Sequence, residues 1–191
     1  MALCQGGNFR YLFPWSASDL GAAYTLAGRV TEALPLLEQA VQQAISIGIQ
    51  GGQSLRIASL SEATLLAGRL GEALSLAQQA IELARTYRER GNEAWILRLL
   101  GDIAARRDPL ESELVDAYYR QALALAEELD MRPLQAHCHR SLGTLYAKTG
   151  QWAQARAALS TAIALYCDME MTFWFPQVEV TLAEVGADIR G

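Results

Sequence analysis

The sequence predicts an all-α fold built from antiparallel helical hairpins that follow one another along the chain. Three observations predict it: a composition rich in alanine, one well-marked hairpin in the C-terminal third, and a recurrence of that hairpin about every 40 residues. Alanine has the highest helix propensity, and the aromatic residues that favour strands make up only 8% of the 191 residues. At 51% hydrophobic residues the chain is not a disordered one.

The best-marked hairpin spans Ser141 to Tyr166. Apolar residues recur at helical spacing on both sides of Gly150, which marks the turn between the two helices. A glycine inside a helix costs about 1 kcal/mol relative to alanine, so Gly143 is expected to have a packing role. We predict that it lets a partner helix come close, and that the small residues Ala155 and Ala162 are packing residues as well.

The same pattern recurs along the whole chain at offsets of 40 to 42 residues. The Leu-Gly pair at 142–143 has counterparts at 20–21, 60–61, 100–101 and 182–183, with Ser61 and Ala183 in place of glycine. Hairpin turns are predicted at the equivalent glycines, and Asp108-Pro109 with two extra residues replaces the glycine in the third unit. The predicted organisation is a lead-in at residues 1–13, units at about 14–50, 53–91, 93–131 and 133–171, and a capping helix at 173–187.

The repeated residues resemble the tetratricopeptide repeat (TPR) family, whose pattern is Trp-x2-Leu-Gly-x2-Tyr followed by a small and then an aromatic position. Tyr24 and Tyr146 hold the tyrosine position, and His139 is one of the residues at the tryptophan position. The resemblance covers about residues 14–187. It implies a right-handed α-solenoid of four hairpins plus a C-terminal capping helix, in which the first helix of each hairpin lines a concave face.

The chain departs from the family pattern in its period, which is about 40 residues instead of 34. No proline closes the second helices, so they are expected to run on. Their predicted ends are near Ile47, Arg90, Leu129 and Tyr166. Arrays of this long period resemble the C-terminal regions of bacterial ATPase-linked transcription regulators and adenylate/guanylate cyclases.

The implied concave face carries most of its charged and aromatic side chains in the third and fourth units. Its candidate residues for binding a partner are Trp95, Arg98, Asp102, Arg106, His137, Arg140 and Lys148. Aromatic anchors beside arginine donors suit an extended peptide or a partner helix with acidic groups. The alternative is a solvated helix face with internal pairing, for which Arg98 and Asp102 have the i,i+4 spacing.

Three aromatic residues, Phe173, Trp174 and Phe175, stand at the start of the predicted capping helix. One interpretation is that they pack on the fourth hairpin. The other is that they form a contact surface for further sequence or for a second copy of the chain, which would make a homodimer through one end.

A metal site at His137-Cys138-His139 is disfavoured, because neighbours at i and i+2 on a helix point in different directions. We expect His139 in the core and His137 on the surface. The sequence contains no recognisable catalytic arrangement and no phosphate-binding glycine loop. The expectation is therefore a protein that is not an enzyme and that needs no metal or other cofactor.

The net charge of −5 and a pI of about 5.1 argue against a nucleic-acid surface, and no run resembles a membrane span. Three widely spaced cysteines, Cys4, Cys138 and Cys167, favour a reduced, cytoplasmic chain. Fifteen of the sixteen basic residues are arginine, which is typical of a GC-rich bacterium. The predicted function is a protein-protein interaction module. The alternatives are a regulatory or sensor segment of a larger bacterial signalling protein and a self-associating scaffold.

Overall fold

The computed structural model describes residues 11–188, except for the side chains of residue 184 and residues 186–188. All the regular elements in that range are helical, which confirms the predicted all-α helical-repeat class. The helices are α1 (Phe13–Leu26), α2 (Val30–Ser46), α3 (Gln53–Leu66), α4 (Leu70–Thr86), α5 (Arg90–Ala104), α6 (Ser112–Glu128), α7 (Arg132–Lys148), α8 (Trp152–Asp168) and α9 (Phe175–Asp188), with a 3₁₀ turn at Thr172–Trp174 before α9.

The chain divides into two compact units, residues 1–92 and residues 93–191, and the boundary falls in the first turn of α5. In unit 1, α1 pairs with α2 and α3 pairs with α4, while α3 also packs against α2 and α1. In unit 2, α7 pairs with α8, α6 packs on α7, and α9 packs on α8 and α7. The core of unit 2 is the larger cluster and includes the buried Tyr166.

Most helices end in the same way, at a residue in the left-handed region that closes the last turn. In each case the next residue's N–H donates back to a carbonyl five residues earlier, as Gln151 N–H does to Tyr146 O at 2.8 Å. The left-handed residues are Gly28, Gly48, Gly68, Arg88, Asp130, Gly150 and Glu170. Within each unit these residues lie 20 residues apart, so every helix together with the turn that follows it takes up half of the repeat.

The prediction that the second helix of the second hairpin ends near Arg90 is wrong. That helix, α4, ends at Thr86, and Arg88 turns the chain with a φ of 55°. Arg90 already begins α5. The glycine that marks the equivalent turn after the first hairpin has no counterpart here. The helical pattern of the sequence therefore continues without a break across the turn.

The other helix ends lie close to their predicted positions, with two differences at the C-terminal end. Helix α8 continues past Tyr166 to Asp168, and the last helix runs from Phe175 to Asp188 instead of over 173–187. The turn of the third hairpin contains Asp108-Pro109 as predicted, and the peptide bond between these two residues is cis. The first ten residues of the predicted lead-in lie outside the described residues, and the proposed unit bounds stay a prediction.

The two helices of a hairpin approach most closely at the Leu-Gly position of the first helix. A Cβ atom at Gly143 would lie 2.6 Å from Leu159 Cγ and 2.8 Å from its Cδ2. The same would hold at Gly21 against Leu37 and at Gly101 against Tyr119. The glycine therefore leaves room for a large side chain from the second helix.

In the second hairpin the two helices make the same close contact with a different pair of residues. Ser61 stands at the glycine position and donates its hydroxyl to Ala73 O at 2.7 Å. The residue equivalent to Leu37 and Leu159 is here Ala77, which is fully buried. A larger residue on the first helix thus accompanies a smaller one on the second, as a fixed interhelical distance requires.

This volume balance predicts the outcome of a double substitution in unit 2. Gly143→Ala is expected to lower the free energy of unfolding by about 1–3 kcal/mol through the clash with Leu159, and Leu159→Ala by about 2–5 kcal/mol through the cavity it leaves. The double variant should lose less than the sum by about 1 kcal/mol or more, since the alanine at 159 vacates the space that the new methyl needs. Urea unfolding of the four proteins measures the coupling, and strict additivity would contradict the packing described.

Candidate functional site

Unit 2 brings together four rings, which we call the aromatic row: Trp95, His137, Tyr166 and Trp174. The ring centroid of His137 lies 5.7 Å from that of Trp95, 5.5 Å from that of Tyr166 and 4.6 Å from that of Trp174. His137 Nδ1 and Tyr166 Oη share a hydrogen bond of 2.7 Å. Helices α5, α7 and α8 and the 3₁₀ turn thus each contribute one ring, and His137 lies at the centre.

The prediction of a surface His137 and a core His139 is wrong. His137 is only 6% exposed, whereas His139 is half-buried. The reason is the 3₁₀ turn before α9, which places Trp174 over the imidazole. Burial lowers the pKa of His137 to about 3, and the charges of Arg98 and Arg140 act in the same direction.

Arg98 and Asp102 form the internal ion pair that the alternative interpretation named. Arg98 Nη1 donates to Asp102 Oδ2 at 2.6 Å, and Tyr119 Oη donates to Asp102 Oδ1 at 2.8 Å. Arg98 is buried, and its guanidinium carbon lies 5.6 Å from the centroid of the Trp95 ring. Both carboxylate oxygens of Asp102 therefore have donors within the protein, and the hydrogen bond from Tyr119 also ties α6 to α5.

Arg140 lies one turn further along α7 than His137 and contacts the aromatic row at Trp174. Its guanidinium carbon is 4.9 Å from the centroid of the Trp174 ring, and its Nη1 donates to Gln177 Oε1 at 2.5 Å. Its Nε is buried and has no hydrogen-bond partner among the described residues. Arg106, just beyond the end of α5, and Lys148, the last residue of α7, are both exposed.

The three aromatic residues at the start of the last helix have different surroundings. Trp174 and Phe175 are partly buried and pack against the core of unit 2. Phe173 is 60% exposed and meets Trp174 edge to face, with ring centroids 5.1 Å apart. Packing on the fourth hairpin thus describes two of the three residues, and Phe173 alone presents its ring to solvent.

A polar cluster in unit 1 was missed by the sequence interpretation. Glu89 accepts hydrogen bonds from the Gly52 N–H at 3.3 Å, from the Ser54 hydroxyl and from Asn92 Nδ2 at 3.1 Å. Arg56 lies beside it with its guanidinium over the ring of Trp15. Trp15 stands at the same repeat position as Trp95, which was the one available signal. The polar residues stand at the connections between hairpins and in the first turn of the helix that follows, where the repeat has no fixed pattern.

Between residues 11 and 188, no helix is long and apolar enough to cross a membrane. In the same range, no group of three or more His, Cys, Asp or Glu side chains is arranged to hold a metal ion. Cys138 is buried as a free thiol, and Cys167 is free and exposed.

The fold and the repeat define a class of protein, the all-α helical-repeat proteins. Two segments match family models described as Tetratricopeptide repeat, residues 15–42 and residues 136–160. These fall in the first and fourth hairpins. No curated protein sequence matches the chain.

Solved structures share the fold at low sequence identity. The chain is similar to a Rap protein complexed with Competence and Sporulation Factor, with a TM-score of 0.75, 16% identity and 90% of this chain covered. It spans only 52% of the length of that Rap chain. It is also similar to BtubC (BKLC) from P. vanneervenii (TM-score 0.64, 17% identity, 90% of this chain and 74% of that chain). A third similar structure is a putative kinesin light chain with TPR-like repeats from Podosopora anserina (TM-score 0.61, 18% identity, 93% and 94% covered).

The buried imidazole predicts a specific pH dependence of stability. The folded pKa of His137 is lowered to about 3, below the ordinary value of 6.5, so its contribution is fully present above pH 6.5 and is lost as the pH falls toward 3. Between pH 7 and pH 5 the wild type should lose about 2 kcal/mol of unfolding free energy that a His137→Gln variant does not lose.

Urea unfolding of both proteins at the two pH values measures this difference. Other titrating groups, including His139, are present in both proteins and cancel in the comparison. A His139→Gln variant is the control and should keep most of the wild-type loss. An equal loss in the wild type and His137→Gln would contradict the buried, neutral imidazole.

Proposed function

We propose that the chain is a protein-interaction module, and that the first helices of unit 2 bind an extended peptide or a partner helix carrying acidic groups. Matches to the tetratricopeptide repeat in the first and fourth hairpins support an interaction module, since such repeats generally serve as scaffolds and not as enzymes. The similarity to a Rap protein that was crystallised with a bound factor supports a ligand-binding use of this fold. The proposal includes no catalytic role and no cofactor, and it places the module in a bacterial cytoplasm.

One observation carries the choice of surface: Arg140 lies against Trp174 with its Nε unpaired within the described residues. A guanidinium held by an aromatic ring loses little further freedom on binding, so it is a good donor for a carboxylate. The half-buried rings of Trp95 and Trp174 can bury apolar parts of the same ligand. Lys148 adds an exposed positive charge on the same helix.

The internal pair of Arg98 and Asp102 changes the expected role of these two residues. Both oxygens of Asp102 accept hydrogen bonds within the protein, and Asp102 neutralises the charge of Arg98. Arg98 is therefore expected to contribute less to the binding of an acidic ligand than Arg140 does. We therefore propose that Arg98 and Asp102 hold Trp95 and the hairpin in position, and that Arg140 and Lys148 supply the charge for binding.

The proposal predicts the effect of removing those two charges. Arg140→Ala combined with Lys148→Ala should weaken binding of acidic peptides at least tenfold, which corresponds to about 1.4 kcal/mol. The measurement is fluorescence polarisation of a library of labelled acidic peptides against the 191-residue chain.

The matched control is Arg156→Ala, because Arg156 is an exposed arginine on the second helix α8. It removes a charge of the same sign and should leave peptide binding unchanged. Thermal unfolding of all three proteins separates lost binding from lost fold. If the double variant binds every peptide as tightly as the wild type does, the proposed surface is wrong.

A second function is favoured by the length comparison. The chain spans about half of the Rap chain, and its long period resembles that of bacterial signalling proteins. We propose that the array can serve as a regulatory or sensor segment that transmits a ligand signal to an effector domain. The discriminating observation is genomic: an ATPase, cyclase or DNA-binding domain encoded before this segment in the same reading frame supports this role, and a free-standing gene counts against it.

Self-association is the third proposal, and two exposed apolar side chains support it. Phe173 and Val180 are 60% and 61% exposed at the start and in the middle of the last helical segment. A scaffold that joins copies through this end predicts a dimer that Phe173→Ser dissociates. Light scattering over a range of concentrations checks it, and a monomer at high concentration would exclude the scaffold.

A further inference from the structure

A set of unpaired hydrogen-bond donors lies in unit 1 at the start of α3. Arg56 and Gln53 are 2% and 7% exposed. Arg56 Nη1 donates to Gly51 O at 2.9 Å and to Gln53 Oε1 at 3.3 Å. The remaining nitrogens, Arg56 Nε, Arg56 Nη2 and Gln53 Nε2, have no hydrogen-bond partner among residues 11–188. Buried polar groups in folded proteins are normally paired, so three neighbouring nitrogens without a hydrogen-bond partner require an explanation.

The nearest carboxylates do not supply the missing acceptor. Glu89 is occupied by three donors of its own, from Gly52, Ser54 and Asn92. Burial raises the pKa of Glu89, but these hydrogen bonds and the charge of Arg56 outweigh it, so the pKa is lowered and the carboxylate stays ionised. Asp19 acts on Arg56 only through its charge, and residues 1–10 contain no Asp or Glu. Within the described residues Arg56 has no ion pair.

The unpaired atoms have a geometry that selects one kind of ligand. The Nε and Nη2 nitrogens form the side-on fork of a guanidinium, whose two parallel N–H bonds match the two oxygens of a carboxylate. Gln53 Nε2 adds a third donor from the preceding turn of the same helix. The two buried nitrogens of the fork favour a ligand with several acceptor lone pairs over a single hydroxyl or carbonyl.

Trp15 covers this donor set from the first hairpin. The guanidinium carbon of Arg56 lies 4.1 Å from the centroid of the Trp15 ring. Gly52 makes the arrangement possible, since a Cβ atom there would lie 2.9 Å from Trp15 Cη2. The indole itself is 47% exposed, so it forms a partly solvated cover over a buried cation. Such a cover holds the guanidinium plane in place.

We propose that Arg56 and Gln53 form a carboxylate-binding site in unit 1, with Trp15 as its aromatic cover. The carboxylate oxygens accept from Arg56 Nε and Nη2, and one of them accepts from Gln53 Nε2. The negative charges of Glu89 and Asp19 lie nearby, so the site favours a single carboxylate over a dianion. It is independent of the peptide surface proposed for unit 2, and either can fail without the other.

The test uses the 191-residue chain and acetate as the probe, titrated against chloride at constant ionic strength. Acetate should shift the ¹⁵N–¹H resonance of Arg56 Nε in a saturable way and should raise the thermal midpoint, because a ligand that binds only the folded state stabilises it. Arg56→Met keeps the length of the side chain but removes the fork, so its midpoint should not respond. Arg156→Met is the matched control and should respond like the wild type.

A second variant protects the test against a failure of Arg56→Met to fold. Gln53→Leu keeps Arg56 and its resonance but removes the third donor, and it should bind acetate several-fold more weakly. An Arg56 resonance that acetate does not move would overturn the proposal. So would an equal acetate response in Arg56→Met, or unchanged acetate affinity in Gln53→Leu.

Two peptide arms distinguish the source of the carboxylate. One peptide has a single aspartate and an amidated C-terminus, and the other has no acidic side chain and a free C-terminus. If either competes with acetate for the Arg56 resonance, the proposal is supported and the peptide that competes at lower concentration identifies the source. If neither competes while acetate binds, the site takes a small free carboxylate. A fully amidated, non-acidic peptide that shifts Arg56 as acetate does would refute a carboxylate site.

Discussion

The close approach of the two helices in each hairpin is the constraint on which the rest of the structure depends. At one position of the first helix there is room for a glycine against Leu37, Tyr119 or Leu159, or for a serine where the partner is reduced to alanine. Because the interior is close-packed, this position fixes both the distance and the rotation of the two helices. The faces that the first helices present are therefore set by a residue that touches no ligand.

In unit 2 this rotation places Trp95 and His137 on the same side of successive first helices. Trp174 then completes the row from the start of the last helix, and Tyr166 anchors the imidazole from the second helix. The two arginines beside the aromatic row, Arg98 and Arg140, have different roles. One is buried and neutralised by Asp102, and the other, Arg140, keeps an unpaired nitrogen beside the Trp174 ring.

The repeat made most of the fold predictable, because glycines and small residues recur wherever helices turn or touch. The prediction failed where the chain reaches the same geometry with other residues: Arg88 turns α4 with a positive φ, and no sequence pattern marks it. The site was harder to predict for a different reason. The burial of His137 depends on Trp174, which follows no repeat position, and Arg56 and Gln53 belong to the first turn of α3, where the residues differ from hairpin to hairpin.

The four indoles of the chain allow the binding of an acidic peptide by the first helices of unit 2 to be tested in one spectrum. Trp95 and Trp174 belong to the aromatic row, Trp152 begins the second helix α8, and Trp15 lies in unit 1. An acidic peptide that binds the chain is titrated while the ¹⁵N–¹H indole resonances are recorded. Binding at the first helices of unit 2 predicts that Trp95 and Trp174 shift together and saturate while Trp152 stays in place. A shift of Trp152 without the other two would contradict it.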